Sequence, residues 1–210
     1  MTSPRTRERL VSRLRDQGIR DERVLRAISL IPRHVFVDEA LASRAYEDTA
    51  LPIGYNQTIS QPYIVARMTE ALLADRTINK VLEIGTGCGY QAAILSQLVE
   101  SVFSVERIEP LLRVAKKHLH TLGITNVHTQ LSDGSLGWSE HAPYDAIIVA
   151  AAAAQIPEPL LLQLGAQGQM VLPVGQQARQ KLLLVKREDM GGFSTQQLEL
   201  VNFVPLVKDS

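Results

Sequence analysis

The chain has 210 residues with 22 basic and 22 acidic side chains, so its formal net charge is zero. Neutrality provides no electrostatic footprint for a nucleic acid or an anionic membrane, and no apolar run approaches the roughly 20 residues of a membrane span. The single cysteine, Cys88, excludes an internal disulfide framework and fits a reducing compartment. We therefore expect a cytoplasmic monomer that engages neither nucleic acid nor membrane.

The first part of the chain predicts a layer of helices. Residues 5–17 carry apolar side chains at helical spacing and end at Gly18, and Asp21 can cap a second helix that Pro32 stops. Residues 33–45 predict a connector and a further helical turn. This layer either covers a sheet edge or also controls substrate access, and the pattern does not choose between the two.

Strands and helices alternate after Pro62, a residue that suits the first turn of a helix. This alternation predicts an α/β fold: a Rossmann-like, doubly wound and mostly parallel sheet, with an N-terminal helical layer and an antiparallel C-terminal part. We expect one domain over 1–210, in which 1–60 form the helical layer and the substrate-side segment and 61–210 form the cofactor-binding sheet and C-terminal strands. The predicted strands are 80–84, 101–106, 127–131, 144–150, 169–173, 181–187 and 199–207, with a loop at 175–177, and the later helices are 89–98, 110–122 and 159–164.

A glycine-rich turn follows the first predicted strand of the sheet. Gly85, Gly87 and Gly89 stand between a strand and a helix, where glycine lets the backbone turn tightly and approach a ligand. The GxGxG spacing differs from the GxGxxG of a pyrophosphate site, and the sequence has no GxxxxGK[ST] phosphate loop. Alone, these glycines fit either a nucleoside-bearing ligand or tight packing of the helix on the strand.

Three acidic residues follow the ends of three successive predicted strands. Glu83, two residues before Gly85, suits the cationic end of a sulfonium amino acid, and Glu106 can accept both hydroxyls of a ribose. Asp133, before Gly134, can accept from the exocyclic amine of adenine. A solvated carboxylate explains each acid by itself, but the three together favour a nucleoside site.

These residues resemble the class I S-adenosylmethionine methyltransferases and, within them, the protein-L-isoaspartate O-methyltransferases. Segments 82–93, 105–107 and 133–134 look like the nucleotide-binding motif, the ribose-binding strand end and the motif after it. The family-specific segment is 57–62, in which Ser60 takes the position of the family's active-site hydroxyl. The sequence departs from the family pattern at Cys88, where Ser or Gly is common, and in the alanine loop 150–154, which in the family would contact the substrate.

The resemblance implies a protein-repair enzyme that moves a methyl group from S-adenosyl-L-methionine to the free α-carboxylate of L-isoaspartyl residues in damaged proteins and peptides, leaving S-adenosyl-L-homocysteine. That carboxylate is ionised near neutral pH, because its usual pKa is about 4 or below, so no strong general base is required. Ser60 is the expected catalytic residue, as a hydrogen-bond donor that aims the carboxylate. The expected cofactor-binding residues are Gln57, Thr58, Ile59, Ser60, Glu83, Gly85, Thr86, Gly87, Glu106, Arg107, Asp133 and Gly134.

Other interpretations stay open at this point. Spacing alone favours Ser60 as a plain helix N-cap, and the fold would also serve a methyltransferase acting on a small carboxylic acid or an RNA base. Neutral charge and the lack of a basic and aromatic stripe disfavour RNA. A nucleoside-binding module without catalysis is the third possibility, which the intact segment around Ser60 disfavours. The five histidines show no metal-ligand spacing, so no metal is expected.

Overall fold

The structure is a computed structural model, which describes residues 4–74, 76–176 and 179–207. Its helices are α1 (Pro4–Asp16), α2 (Glu22–Leu30), α3 (Pro62–Leu73), α4 (Tyr90–Leu95), α5 (Glu109–Thr121) and α6 (Glu158–Leu162). Its strands are β1 (Leu51–Gly54), β2 (Gln57–Ile59), β3 (Lys80–Ile84), β4 (Ser101–Glu106), β5 (Val127–Leu131), β6 (Tyr144–Val149), β7 (Leu164–Gln176), β8 (Arg179–Arg187) and β9 (Phe193–Val201). Short 3-10 turns occupy Arg33–Phe36, Glu39–Arg44, Gly134–Leu136 and Ser139–His141.

Seven strands form one sheet in the order β5-β4-β3-β6-β7-β8-β9. The pairs from β5 to β7 are parallel, whereas β8 and β9 are antiparallel. The chain runs outward from β3 through β4 to β5, then returns to place β6 on the other side of β3. Ligands of doubly wound sheets bind at such a reversal, outside the carboxyl ends of the strands. The predicted fold class is confirmed.

The two faces of the sheet are buried by different elements. Helices α1 to α4 pack on one face around Val81, Val102 and Ile148. The opposite face holds Leu82 and Ile147, with α6 packed on it. Adjacent strand residues therefore lie on opposite faces, as the period of two requires, and this alternation decides which strand residues reach the site.

The first part of the chain folds as a helical layer, with one element that the sequence did not predict. Asp21 caps α2, accepting from the backbone N–H of Arg23 at 2.8 Å. The unpredicted element is the β1–β2 hairpin, whose turn residues Tyr55 and Asn56 both have positive φ. Its strands have only four and three residues, too few to show a period.

The C-terminal part differs most from the predicted elements. The last strand was expected at 199–207, but β9 ends at Val201, and among the described residues after it the chain forms one isolated bridge, between Pro205 and Ala152. Strand β9 is polar and mostly exposed, so its sequence lacks the apolar alternation from which a strand is predicted. The expected helix 159–164 ends earlier, and Gly175 and Gln176 pair with β8 instead of forming a loop; Gln177 of that expected loop lies outside the described residues.

Candidate active site

One cavity lies at the carboxyl ends of β3, β4 and β6, where the strand order reverses. The cavity and its open mouth together span about 910 Å³. Its walls come from the glycine turn, the β1–β2 hairpin, the end of β4, the loop after β6 and the segment 204–207. The site is therefore built from parts of the chain that are far apart in sequence.

The glycine turn needs its glycines for both conformation and space. Gly85, Gly87 and Gly89 have φ of 92°, 54° and 90°, a region that side chains disfavour. A Cβ on Gly87 would lie 3.3 Å from Ile53 of the hairpin, and one on Gly89 would lie 3.3 Å from Ala115 of α5. The turn thus packs tightly and also lines the cavity, so the two explanations of its glycines hold together.

Glu106 is held at the cavity wall by backbone donors. One carboxylate oxygen accepts from the N–H of Gly87 at 2.8 Å, and the other accepts from those of Arg107 and Ile108 at 2.9 Å each. A carboxylate has about four acceptor positions, so the group keeps acceptor capacity for hydroxyls in the cavity. The predicted cofactor residues Glu106 and Arg107 both line it.

Glu83 lies beneath the turn rather than in the cavity wall. It has no exposed surface and accepts from the hydroxyl of Ser104, which in turn meets the hydroxyl of Thr86 at 2.7 Å. Burial, with a smaller contribution from the nearby charge of Glu106, raises the pKa of Glu83 to about 8. The sequence analysis expected the Glu83 side chain to face the ligand. Side chains of neighbouring strand residues point to opposite faces, and in β3 it is Ile84 that faces the cavity.

At the third acidic position, Gly134 lines the cavity but Asp133 lies outside it. Gly134 lines the cavity, and a Cβ there would collide with Ile84. The carboxylate of Asp133 accepts from the N–H of Ser135 at 2.8 Å and borders a neighbouring pocket. A contact from Asp133 to a bound adenine stays a prediction.

The substrate-side segment brings Ser60 to the meeting point of two cavities. Gln57, Thr58, Ile59 and Ser60 all line the first cavity. Thr58 and Ser60 also line a second, of about 900 Å³, whose other wall includes residues 200–204. Ser60 is not the N-cap of α3, a position held by Gln61. Within the described ranges the Ser60 side chain makes no hydrogen bond, so its hydroxyl is available to a ligand.

Several residues that line the first cavity were not predicted from the sequence as site residues. The apolar segment 204–207 was expected to be strand, yet it crosses the cavity, held by Ala152, whose N–H donates to Val204 and whose carbonyl accepts from Leu206, both at 2.8 Å. Only its apolar composition could have drawn attention to it. Among the other wall residues that were not predicted are Ile53, Tyr90, Gln91 and Ile108.

Ionisable groups are few around these cavities. Of the described residues that line them, none is a histidine or a lysine. No group of three or more His, Cys, Asp or Glu side chains that could hold a metal ion occurs in the described ranges. The site is therefore suited to positioning an already reactive pair of groups rather than to strong base catalysis.

Comparison with known proteins links the site to one family. Residues 5–210 match the family model described as protein-L-isoaspartate(D-aspartate) O-methyltransferase. The chain is 59% identical to a protein-L-isoaspartate O-methyltransferase of Ectopseudomonas mendocina, over 99% of this chain and 98% of the relative. A solved structure of that name is 32% identical, with a TM-score of 0.82 over 95% of this chain and 65% of the other. A Plasmodium falciparum structure of this type, in complex with S-adenosyl-L-homocysteine, shares the fold at 24% identity and a TM-score of 0.80 over 95% and 97%.

Proposed function

This chain belongs to the protein-L-isoaspartate(D-aspartate) O-methyltransferase family, and from that premise we propose how its site methylates damaged proteins. The enzyme uses S-adenosyl-L-methionine to methylate the free α-carboxylate of L-isoaspartyl residues, as the first step of repair. The observation that carries the assignment of roles is the Ser60 hydroxyl, which has no hydrogen-bond partner among the described residues and lies at the junction of two cavities. One cavity suits the cofactor, and the other suits the peptide.

The residues of the first cavity fit S-adenosyl-L-methionine. Its nucleoside would be held by Glu106 and Gly134, and its amino acid end by the glycine turn and Thr86, with Arg107 and Asp133 beside them. When bound, the cofactor supplies a methyl group on a positively charged sulfur. Segment 204–207 and the β1–β2 hairpin cover the cavity, and their apolar residues exclude water from it.

Ser60 donates a hydrogen bond to one oxygen of the isoaspartyl α-carboxylate and so directs the other toward the methyl group. The carboxylate is already ionised near neutral pH, which agrees with a wall that holds no histidine or lysine among its described residues. Gln57 and Thr58 of β2 precede Ser60 in the chain and support its position. Catalysis here is alignment rather than proton transfer.

The experiment uses labelled S-adenosyl-L-methionine and two peptides that differ only in an isoaspartyl or a normal aspartyl linkage. Base-labile label on the isoaspartyl peptide alone is the expected result. Equal labelling of both peptides, or labelling of a small carboxylic acid or an RNA instead, would replace the proposed substrate. Binding of S-adenosyl-L-homocysteine without labelling of any acceptor would point to a module that has lost catalysis.

The setting of the enzyme is also part of the proposal. We propose that residues 1–210 act as one domain and as a monomer in the cytoplasm, without nucleic acid, and the lone, buried and unpaired Cys88 fits a reducing compartment. In the described ranges, no helix has the length and apolar character needed to cross a bilayer.

A further inference from the structure

Arg33 is a fully buried cation without a carboxylate partner in the described part of the chain. Its side chain has no exposed surface, and burial lowers the pKa of its guanidinium. Asp48 acts on it only through space, because the Asp48 carboxylate accepts from Gln17, Gln61 and the N–H of Tyr63. Burying a charge without an ion pair costs free energy. The groups that contact the Arg33 guanidinium therefore matter.

The guanidinium bonds to the chain that leads into the hairpin. Its Nε donates to the carbonyl of Ala45 at 2.8 Å, and Nη2 donates to that of Thr49 at 3.4 Å. Two residues after Thr49, β1 begins, and the hairpin ends at Ile59, directly before Ser60. Arg33 therefore fixes the start of the segment that carries the active-site hydroxyl.

The other side of the guanidinium faces the cofactor turn. Its central carbon lies 4.9 Å from the ring centre of Tyr90, which is the first residue of α4 after the glycine turn and lines the cavity. Phe36 packs edge-on against the same ring at 5.4 Å and against His118, whose Nδ1 meets the Cys88 carbonyl at 2.9 Å. One side chain thus contacts the chain that leads into the Ser60 hairpin and the residue that follows the cofactor turn, the two halves of the site.

We infer that Arg33 is a positioning residue that sets the distance between the Ser60 hairpin and the cofactor turn. Only a planar fork can bond to two carbonyls while its face stacks on an aromatic ring. Lysine keeps the charge but loses that fork, and methionine keeps only the volume. The role rests on the proposed function, because alignment matters where a carboxylate must meet a methyl group in line.

The test compares Arg33→Lys and Arg33→Met with Arg44→Met, an exposed arginine of the same region. Both Arg33 variants are expected to lower kcat on the isoaspartyl peptide by about 10- to 100-fold, the scale of a misalignment near 1 Å. Affinity for S-adenosyl-L-homocysteine by calorimetry should change by less than about three-fold, since Arg33 is not among the residues that line the first cavity. The Arg44→Met variant should behave as the parent protein.

Hydrogen exchange of the hairpin amides distinguishes a loss of positioning from a general loss of stability. In the parent protein S-adenosyl-L-homocysteine should slow exchange in β1 and β2, and in Arg33→Lys this slowing should be largely lost while the protein stays folded. A kcat within about two-fold of the parent, with the slowing intact, overturns the inference even if the melting temperature falls. Should the parent protein itself methylate no isoaspartyl peptide, the proposed function fails instead, and the exchange result still decides whether Arg33 couples the two halves.

Discussion

Ile53 of the β1–β2 hairpin packs against Gly87 of the cofactor turn so closely that a Cβ on Gly87 would lie 3.3 Å from its Cδ1. The segment that carries Ser60 therefore rests directly on the turn that faces the cofactor. Under the proposed function, substrate alignment and cofactor binding share this contact, so a change on one side of it should be measurable on the other.

Gly87→Ala should weaken S-adenosyl-L-homocysteine binding and lower kcat. The new methyl group meets Ile53 and also strains a residue with φ of 54°. Gly123→Ala is a matched control, because its φ of 66° gives similar strain but nothing lies within 4 Å of its added Cβ. Both variants should lose about 1 kcal/mol of stability from the backbone, whereas only Gly87→Ala should lose cofactor affinity by calorimetry. Equal affinities in the two variants would contradict the packing role of Gly87.

Ser60→Ala should lower kcat on the isoaspartyl peptide by about 10²-fold, the scale of losing one oriented donor. Cofactor affinity should be nearly unchanged, because α3 takes its N-cap from Gln61 and the Ser60 hydroxyl makes no bond within the described ranges. Ser60→Thr keeps a hydroxyl and should retain more activity. Initial rates and calorimetry check both points, and parental turnover in Ser60→Ala would remove this residue from the mechanism.

Glu106→Gln should reduce cofactor affinity by about 10-fold or more, because a charged acceptor for hydroxyls is lost and the new amide opposes one of the backbone donors. The control is Glu109→Gln, an exposed residue that pairs only with Arg113 in the described structure. Calorimetry with S-adenosyl-L-homocysteine measures both variants. If both bind as the parent does, Glu106 does not hold the ribose.

Glu83→Gln should change how stability depends on pH. Because burial raises the pKa of Glu83 to about 8 from an ordinary 4.5, the folded protein keeps a proton that the unfolded chain loses between these values. The contribution of Glu83 to the free energy of unfolding is fully present below about pH 4.5. It falls as pH rises, by roughly 1 kcal/mol per pH unit, until about pH 8. Glutamine is neutral at every pH, so the stability of the variant relative to that of the parent protein should rise over this pH range.

Urea unfolding at pH 5, 6, 7 and 8 measures the Glu83 effect. The difference in unfolding free energy between Glu83→Gln and the parent should grow steadily with pH. Glu47→Gln, at an exposed surface position, should follow the parent curve. Parallel curves for Glu83→Gln and the parent would show that the buried carboxyl does not titrate as described.

The amino-acid sequence by itself determined the central sheet and the reaction class. Strands β3 and β4 have the predicted bounds because apolar residues recur along them, and β5 has its predicted bounds as well. Helix α5 begins and ends within one residue of its predicted bounds, whereas α4 ends at Leu95, three residues before its predicted end. The glycine turn and the polar segment 57–62 identified the cavity wall, since glycine is required wherever positive φ and close approach coincide. These are local properties, and local pattern suffices for them.

Tertiary structure alone decided which side chains face the cavity. Glu83 and Ile84 are neighbours in sequence, but the pleat of β3 sends one beneath the turn and the other into the wall. The hairpin and segment 204–207 cover the cavity through contacts with residues far away in the chain, among them Ile53 with Gly87 and Leu206 with Ala152. Neither element has a period long enough to be seen, because their conformation is set by what they pack against rather than by their own residues.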